Sequence, residues 1–320
     1  MNTHRKQDTP RRSRVLVTGA SGFAGRWLIP TLNNMGLDCI GITGSRLHSR
    51  DPLKSLLAND YQIDLSNHSV DLLDVVGDVE YLVHLASITP HKARIAGLSD
   101  SDLFIRNSAI DSNIVQYIKD VVPKKSVIIS SCAVYGNSPR ILTEDSPLMG
   151  KGVYADCKMK LESSIAKLPK NTYNTVIVRS FNHSGPGQPL GFFIPDTIQR
   201  ATARKLEKAV LKNANAVRDF LDVRDIVNAY GSLLMKDNLR HNVYNVCSGK
   251  GISTLELNTL IQNRLSKVCG IPANNDIQIE NTGTEDRIVG DNSRLVSELG
   301  WKRKVDIEKS IDDYLMGALV

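Results

Sequence analysis

A tyrosine and a lysine four residues apart, Tyr154 and Lys158, could together carry out acid–base chemistry. On a helix, this spacing places both side chains on the same face. An ammonium beside a phenol lowers the pKa of the phenol toward the working pH, so that a tyrosine can exchange a proton with a carbonyl or alcohol oxygen. Ser131 ends an apolar run and could hydrogen-bond the same oxygen. We therefore predict these three residues as the catalytic group.

A glycine-rich turn near the start of the chain could bind a phosphate. Gly19, Gly22 and Gly25 follow an apolar run directly and open a helical pattern. A tight turn at a helix N-terminus directs backbone N–H groups and the positive end of the helix dipole toward a phosphate. In a first strand–turn–helix unit, such glycines are typical of dinucleotide-binding folds. A purely structural glycine turn is the alternative.

The end of the second predicted strand bears on the choice of nicotinamide cofactor. A site that prefers NAD usually places a carboxylate there, for the ribose 2′-hydroxyl. This chain has Thr43, Gly44, Ser45 and Arg46 instead, with Arg50 close by. A hydroxyl and a guanidinium favour a 2′-phosphate, so we predict a preference for NADPH over NADH. A solvated surface charge at Arg46 is the alternative.

Two further strand ends carry candidate cofactor contacts. Asp64 ends the third apolar run and could accept a hydrogen bond from an adenine amino group. Residues 84–87 end the fourth run and would line the ribose of the cofactor.

The rest of the chain supplies the elements that must position these groups. Apolar runs alternate with helical patterns, and strands of this kind predict a parallel sheet covered on both faces. The predicted strands are 14–19, 39–43, 61–65, 80–87, 125–131 and 174–181, and the predicted helices between them are 22–36, 51–58, 68–76, 100–120 and 153–168. Beyond residue 180 we expect a helix near 193–207, a helical stretch at 219–235, a strand at 242–248 and a final helical region.

These elements predict an α/β fold, a Rossmann-type doubly wound parallel sheet with a smaller C-terminal substrate-binding lobe. We expect residues 1–13 to be a flexible basic tail. Residues 14–180 would form the dinucleotide-binding domain, to which 221–247 return. The predicted substrate-binding lobe comprises residues 181–220 and 248–320.

Composition excludes several other classes of protein. The chain has 320 residues, 41% of them hydrophobic and 23% charged, which is typical of a folded soluble protein. Part of the formal charge of +6 belongs to the tail. The rest of the chain lacks the stripe of basic and aromatic residues that is typical of nucleic-acid-binding proteins. No apolar run could span a membrane. The five cysteines lack metal-ligand spacing, so we expect no metal, reduced thiols and a cytoplasmic location.

The glycine turn, Ser131 and the Tyr154/Lys158 pair, in this order on a parallel sheet, resemble the extended short-chain dehydrogenase/reductase family. The resemblance covers nearly the whole chain from Arg14. It implies that Ser131 and Tyr154 polarise and protonate a carbonyl, and that Lys158 binds the nicotinamide ribose and tunes Tyr154. The predicted cofactor contacts are Gly19, Ser21, Gly22, Phe23, Gly25, Ser45, Arg46, Asp64, Leu65, Leu85, Ala86, Ser87, Asn107, Tyr154 and Lys158.

Three strings in the second part look like the sugar-nucleotide branch of this family: RSFNHSGPGQ (179–188), VRDFLDVRDIVNAY (217–230) and VYNVCSG (243–249). They are most similar to the GDP-4-keto-6-deoxy-D-mannose reductases. The resemblance implies that Asn182 contacts the sugar nucleotide and that Arg218 clamps its diphosphate, for which a guanidinium is suited. An ion pair of Arg218 with Asp219 or Asp222 is the alternative.

Other side chains complete the predicted substrate site. Arg287 is a candidate second phosphate contact, and His183 is either a pocket residue or a hydrogen-bonded support. Phe192 and Phe193 are available to pack on a base or sugar face. The predicted substrate contacts are Thr89, Ser131, Asn182, His183, Phe193, Arg218 and Arg287.

The expected activity is NADPH-dependent reduction of the 4-keto group of a nucleotide-linked 4-keto-6-deoxy sugar, with GDP as the favoured nucleotide. Cys132 and Ala133 stand where a 4,6-dehydratase needs an acid and a base, which argues against dehydration. A 4-epimerase with retained NAD and a non-catalytic dinucleotide-binding regulator remain alternatives. The segment before Tyr154, MGKGVYADCK, departs from the family pattern, so a related deoxy sugar or heptose also remains open. The resemblance further implies a homodimer through two helices per subunit, including the helix of Tyr154.

Overall fold

The computed structural model describes residues 12–68, 70–170, 172–202, 209–272, 277–280 and 286–318. The predicted basic tail therefore lies outside the described residues, except for positions 12 and 13. None of the described helices combines the length and the apolar content needed to cross a membrane.

The strands are β1 (Arg14–Thr18), β2 (Asp38–Thr43), β3 (Asn59–Gln62), β4 (Tyr81–His84), β5 (Lys125–Ser131), β6 (Thr175–Ser180), β7 (Asn182–Ser184), β8 (Ala209–Lys212), β9 (Val217–Asp222), β10 (Val243–Val246), β11 (Gly251–Ser253), β12 (Ile277–Glu280) and β13 (Arg287–Ile288). The helices are α1 (Phe23–Asn34), α2 (Leu72–Val76), α3 (Pro90–Ile95), α4 (Asp100–Val121), α5 (Val153–Ala166), α6 (Phe193–Thr202), α7 (Val223–Met235), α8 (Thr254–Cys269), α9 (Ser293–Leu299) and α10 (Ile307–Ala318). Short 3-10 turns occupy Pro52–Leu56 and Cys132–Val134.

Seven strands form one parallel sheet in the order β10-β6-β5-β4-β1-β2-β3. The apolar residues of its inner strand β1, such as Val15 and Leu16, are 0% exposed. Helices α1 and α7 cover one face of the sheet, and α2, α4 and α5 cover the other. The predicted doubly wound parallel sheet is therefore confirmed. All its carboxyl ends lie along one edge, which is where ligands of such sheets bind.

A second group of elements stands beside this sheet. Strands β7, β9, β11 and β13 form a small mixed sheet, and β8 pairs with β12. Helices α6, α8 and α10 enclose a separate apolar core that includes Ile198, Ile261 and Ile311. Meanwhile α7 and β10 return to the main sheet. The predicted division into domains remains a prediction, and its boundary at residue 220 falls inside β9.

Several predicted elements were wrong in kind or extent. The stretch 219–235 begins as strand β9 rather than as a helix, because Asp222 caps α7 by accepting the backbone N–H of Arg224. The predicted helix at 51–58 is a 3-10 turn, and β3 covers Asn59–Gln62 rather than 61–65. Helix α6 ends at Thr202, and residues 203–207 of its predicted extent lie outside the described residues.

Candidate active site

Ser131 and helix α5 meet at the carboxyl edge of the main sheet. Ser131 ends β5, and its Oγ accepts the backbone N–H of Ala133 at 3.2 Å, which caps the following 3-10 turn. The segment before α5 is hydrogen-bonded to that turn, since Gly150 N donates to Val134 O at 2.8 Å. The first turn of α5 is thereby held next to the end of β5.

Tyr154 and Lys158 share one face of α5. The Lys158 Nζ lies 5.9 Å from the centroid of the Tyr154 ring and donates to the Ile129 carbonyl of β5 at 3.1 Å. Lys158 is only 3% exposed, whereas Tyr154 is half-buried. The lysine is thus anchored to the sheet with its charge beside the phenol.

The glycine turn after β1 is compact enough to exclude side chains. Gly19 has φ of +69°, and a Cβ there would lie 3.0 Å from the backbone nitrogen of Ala86. A Cβ at Gly25 would lie 2.4 Å from the carbonyl oxygen of Gly19. Gly22 is the N-cap of α1, and no side chain among the described residues caps this helix. Its first N–H groups therefore suit a phosphate.

The ends of β2 and β3 supply the candidate adenosine contacts. Ser45 and Arg46 are exposed, whereas Thr43 is buried and donates to the Ser45 carbonyl at 2.9 Å. The neighbouring Asp51 accepts two hydrogen bonds from Arg26, at 2.8 and 2.7 Å, and this partner lowers its pKa to about 2. This acid is consequently engaged by Arg26.

The side chain of Asp64 forms a local turn. Its Oδ1 accepts from both the hydroxyl and the backbone N–H of Ser66, at 2.7 and 3.0 Å, which lowers its pKa. The following Leu65 is 5% exposed, within the core under α4. Asp64 is thus an ionised acceptor at the end of the third strand.

Asn107 holds the loop after β4. Its Oδ1 accepts from Ile88 N at 2.8 Å and from Ser87 Oγ at 3.2 Å, and its Nδ2 donates to Ile88 O at 3.0 Å. Asn107 is 1% exposed, so its amide supports this loop. Leu85, Ala86 and Ser87 are half-buried along the same loop.

The expectation that His84 lines the ribose was wrong. His84 is 0% exposed and bonds Thr18 and Asp111 beneath the loop. Strand alternation explains the difference, because successive side chains of a strand point to opposite faces. Sequence reasoning missed this trio, since its members lie far apart in the chain.

The segment after β6 lies across the start of α1. The His183 ring stacks on Phe23 with centroids 5.9 Å apart and planes 5° apart. His183 Nδ1 lies 3.1 Å from the Phe181 carbonyl, and burial lowers the pKa of His183. Trp27 Nε1 donates to Pro186 O at 3.1 Å. His183 therefore has the geometry of a support, and Phe23 contacts this segment.

Asn182, by contrast, retains an unused donor. Its Nδ2 is buried and has no hydrogen-bond partner within the part of the chain that the structure describes. Asn182 belongs to β7, which pairs with β9 beside Phe220. A buried donor without a partner is costly, and a bound ligand oxygen would satisfy it.

The segment after β6 also contacts α3. The Phe192 ring is tilted against the His91 ring, with centroids 5.6 Å apart. Thr89 is the N-cap of α3 and accepts the backbone N–H of Lys92 at 3.3 Å. Phe193 begins α6 and packs, half-buried, against the core of α8 and α10, while Phe192 is exposed. The spacing of residues in the sequence gives no indication of the contact between His91 and Phe192.

Arg218 is paired with an acid that sequence reasoning did not identify. Its Nη2 lies 2.7 Å from each carboxylate oxygen of Asp286. The alternatives were wrong, because Asp219 accepts from Ser248 and Asp222 pairs with Arg224. The Arg218 charge opposes the rise that burial causes in the pKa of the Cys132 thiol.

Arg287 lies in β13, half-buried, and its carbonyl accepts the backbone N–H of Ser138 at 2.9 Å. Cys132 is 7% exposed, and burial raises the pKa of its thiol to about 12. Within the described residues, no group of three or more His, Cys, Asp or Glu side chains is placed to hold a metal ion.

Comparison with known proteins places this site in a family context. A UDP-glucose 4-epimerase from Cyamopsis tetragonoloba is 26% identical over 334 residues, which cover 93% of this chain and 92% of that protein. A GDP-6-deoxy-D-talose 4-dehydrogenase from Aggregatibacter actinomycetemcomitans is 26% identical over 294 residues, covering 90% of this chain and 91% of that protein.

A solved structure shows the same fold. The UDP-glucose 4-epimerase from Bifidobacterium longum, in complex with NAD+ and UDP, superposes with a TM-score of 0.80 at 21% identity, covering 96% of this chain and 98% of that one. The model of the NAD dependent epimerase/dehydratase family matches residues 15–247. This match confirms the resemblance at the level of the family, and the chain belongs to the NAD dependent epimerase/dehydratase family.

Proposed function

We propose that the protein uses NADPH to reduce the 4-keto group of a nucleotide-linked 4-keto-6-deoxy sugar, with GDP as the nucleotide. The observation that carries the proposal is the position of Tyr154 and Lys158 on α5, next to Ser131 at the end of β5. Strands β5, β4 and β1 are neighbours, so this group faces the same sheet edge as the glycine turn.

Each of these three side chains would contribute to the reduction. Bound NADPH would supply a hydride to C4 of the sugar. Tyr154 would donate its phenolic proton to the oxygen on which negative charge develops, and Ser131 would hydrogen-bond that oxygen. Lys158 would hold a ribose hydroxyl and keep its positive charge beside the Tyr154 oxygen. Preorganised donors at a developing oxyanion are usually the largest catalytic contribution.

The residues present suit a dinucleotide with a 2′-phosphate. The uncapped start of α1 faces the glycine turn and would bind the pyrophosphate. Ser45 and Arg46 would bind the 2′-phosphate, because both are exposed at the end of β2 and Asp51 is engaged by Arg26. Asp64, Leu65 and the loop after β4 would hold the adenosine and the nicotinamide ribose.

The substrate would lie between the catalytic group and the small mixed sheet, which we propose as part of a substrate-binding lobe. Asn182 Nδ2 would donate to the sugar nucleotide, and Arg218 would exchange one of its contacts with Asp286 for the diphosphate. Thr89, His183, Phe193 and Arg287 complete the proposed set. The relative that acts on GDP-6-deoxy-D-talose supports a GDP-linked deoxy sugar.

Dehydration is disfavoured by the residues after Ser131. A 4,6-dehydratase needs a proton donor and a base there, whereas Ala133 has neither function. The Cys132 thiol stays protonated, since burial raises its pKa to about 12. The site therefore suits a single reduction better than an elimination.

The test is a reaction of the purified protein with GDP-4-keto-6-deoxymannose or its heptose analogue, in the presence of NADPH. We expect loss of NADPH absorbance and a product two hydrogen masses heavier than the substrate. Stoichiometric formation of the 4-hydroxy sugar would support the proposal. Absence of NADPH oxidation with either keto sugar would contradict it.

A 4-epimerase is the second candidate, because a UDP-glucose 4-epimerase is 26% identical across 93% of this chain. An epimerase oxidises and re-reduces the same carbon with retained cofactor, so it consumes no NADPH. It would purify with bound NAD and interconvert UDP-glucose and UDP-galactose. Product analysis with these UDP sugars separates the two activities.

A further inference from the structure

Three buried side chains beneath the site form a chain of hydrogen bonds that the proposed mechanism does not use. His84 Nδ1 lies 2.8 Å from Thr18 Oγ1, and His84 Nε2 lies 3.2 Å from Asp111 Oδ1. Thr18 Oγ1 also accepts the backbone N–H of Ala86 at 3.1 Å. Thr18 and His84 are 0% exposed and Asp111 is 8% exposed. The bonds therefore join β1, β4 and α4 out of contact with solvent.

The partners of His84 determine where its proton lies. A carboxylate can only accept, so the Nε2 of a neutral His84 carries the hydrogen and donates it to Asp111. The Nδ1 then accepts from the Thr18 hydroxyl, whose oxygen accepts in turn from Ala86. Every donor in this chain has one acceptor.

Burial of the imidazole favours this neutral form. Burial lowers the pKa of His84, and the Lys158 ammonium on α5 acts in the same direction, while Asp111 on α4 opposes both. Thr18 on β1 is uncharged. His84 therefore links its neighbours by hydrogen bonds without a charge of its own.

The chain of bonds ends where the two cofactor loops touch. Thr18 is followed by Gly19, and the closest neighbour of a Cβ at Gly19 would be the Ala86 nitrogen, 3.0 Å away. The turn after β1 carries the proposed pyrophosphate site, and the loop after β4 carries the proposed ribose contacts. A change in the Thr18 bonds would alter the distance between these loops directly.

We propose that Thr18, His84 and Asp111 form a relay that sets the spacing of the two cofactor loops, with Asp111 and His84 as positioning residues for the dinucleotide. The proposal rests on the cofactor binding proposed above. Asp111 acts through His84 and Thr18, because it lies on α4 at the far end of the relay. The relay lacks access to solvent, so it orients groups rather than acting as a nucleophile.

The test compares paired variants of Thr18 and Asp111 by direct titration with NADPH, followed by fluorescence. Thr18→Val removes the hydroxyl at nearly constant volume, and Thr18→Ser restores it. Asp111→Ala removes the acceptor, and Asp111→Asn restores an acceptor without charge. We expect Thr18→Val and Asp111→Ala to weaken NADPH binding by about tenfold or more, and the two restoring variants to stay within about threefold of wild type.

A matched control lies on the same helix. Asp120 is exposed and accepts a local bond from Gln116 at 2.8 Å, so Asp120→Ala should bind NADPH like wild type. Urea unfolding of each variant identifies any that are not folded. If Asp111→Ala does not fold, the comparison of Thr18→Val with Thr18→Ser tests the proposal. Equal affinity of folded Thr18→Val and wild type would overturn the proposal.

A spectroscopic arm separates this proposal from the proposed function. In the ¹⁵N spectrum of histidine-labelled protein, assigned with His84→Asn, we expect one tautomer of His84 with hydrogen on Nε2 from pH 6 to 8. Thr18→Val should release that preference. If wild type binds neither NADPH nor NADH, the proposed function fails. A titrating or mixed-tautomer His84 in wild type would instead refute the relay itself.

Discussion

Lys158 differs from an ordinary surface lysine because its charge is almost removed from water. It is 3% exposed and bonded to the Ile129 carbonyl, next to the Tyr154 ring. A charge held in this way acts strongly on its neighbour, since little solvent screens it. We therefore expect the rate of the proposed reaction to depend on single atoms, such as the Lys158 nitrogen and the Tyr154 oxygen.

Replacing Tyr154 by Phe removes the proposed proton donor and changes little else. We expect kcat for the keto sugar to fall by about a hundredfold or more, because general acid catalysis and oxyanion stabilisation are both lost. NADPH binding should remain measurable. Tyr173→Phe is the control, since Tyr173 precedes β6 at the opposite end of the sheet. Near-normal turnover by the Tyr154 variant would contradict the assignment.

Arg46 is the residue on which the cofactor preference depends. A guanidinium bound to a phosphate makes charge-assisted hydrogen bonds, and their loss should raise the KM for NADPH about tenfold or more. The KM for NADH should not change in Arg46→Ala, because NADH lacks the 2′-phosphate. Lys54→Ala, at an exposed position of the neighbouring 3-10 turn, is the matched control. An equal effect on both cofactors would show that Arg46 does not read the 2′-phosphate.

At the scale of elements, local signals made the long helices and parallel strands predictable. Helix α4 begins with a capping box between Ser99 and Asp102, and β1 and β5 contain the apolar runs 15–17 and 127–129. The small mixed sheet was not predictable, because strands of two to six residues depend on partners distant in sequence. Arg218 illustrates the same limit, since its partner Asp286 is 68 residues away.

A buried ion pair ties helix α5 to the sheet. Arg179 of β6 and Glu162 of α5 are each 6% exposed, and Arg179 Nη2 lies 2.7 Å from Glu162 Oε2. Ser130 Oγ donates to the same carboxylate at 2.5 Å. This pair fixes α5, and with it Tyr154, against β5 and β6.

Replacing Glu162 by Gln should therefore lower the free energy of unfolding by about 3 kcal/mol, because an unpaired charge remains buried. The double replacement Glu162→Leu with Arg179→Met should lose less, since it leaves no charge. Asp145→Asn, which breaks the exposed pair with Arg294, should cost about 0.5 kcal/mol or less. Urea denaturation measures all three. If Glu162→Gln lowered the free energy of unfolding no more than Asp145→Asn does, the buried pair would not be what holds α5 against the sheet.

At the scale of the whole molecule, the segment after β6 links the main sheet to the small one. Strand β6 ends at Ser180 and β7 begins at Asn182, so a single residue, Phe181, separates the strands of the two sheets. His183 packs on α1 from the small sheet, and Phe192 contacts α3. The segment around the Gly-Pro-Gly break thus contacts both α1 and α3.

The half-buried His183 predicts how stability depends on pH. Because burial lowers its pKa, the unfolded chain binds more protons below about pH 6.5, and stability is lost as pH falls through the folded pKa. We expect His183→Phe, which retains an aromatic ring against Phe23, to lose less stability than wild type between pH 7.5 and 5.5. His48→Phe, at an exposed position, should behave like wild type. Urea midpoints at both pH values give the comparison, and parallel losses in all three proteins would refute it.

The homodimer expected from the family resemblance would use the outer faces of α4 and α5. These helices pack side by side, and Lys160 Nζ lies 4.8 Å from the centroid of the Phe104 ring between them. Ile105 of α4 is 52% exposed on this surface, which is unfavourable for a large apolar side chain unless a partner covers it.

Light scattering after size exclusion should therefore give the mass of two chains for wild type. Ile105→Glu should give one chain, because two buried carboxylates would face the interface. Ile95→Glu on α3, where Ile95 is 72% exposed, should stay dimeric. A dimer that persists in Ile105→Glu would place the interface elsewhere. A monomeric wild type would exclude the homodimer.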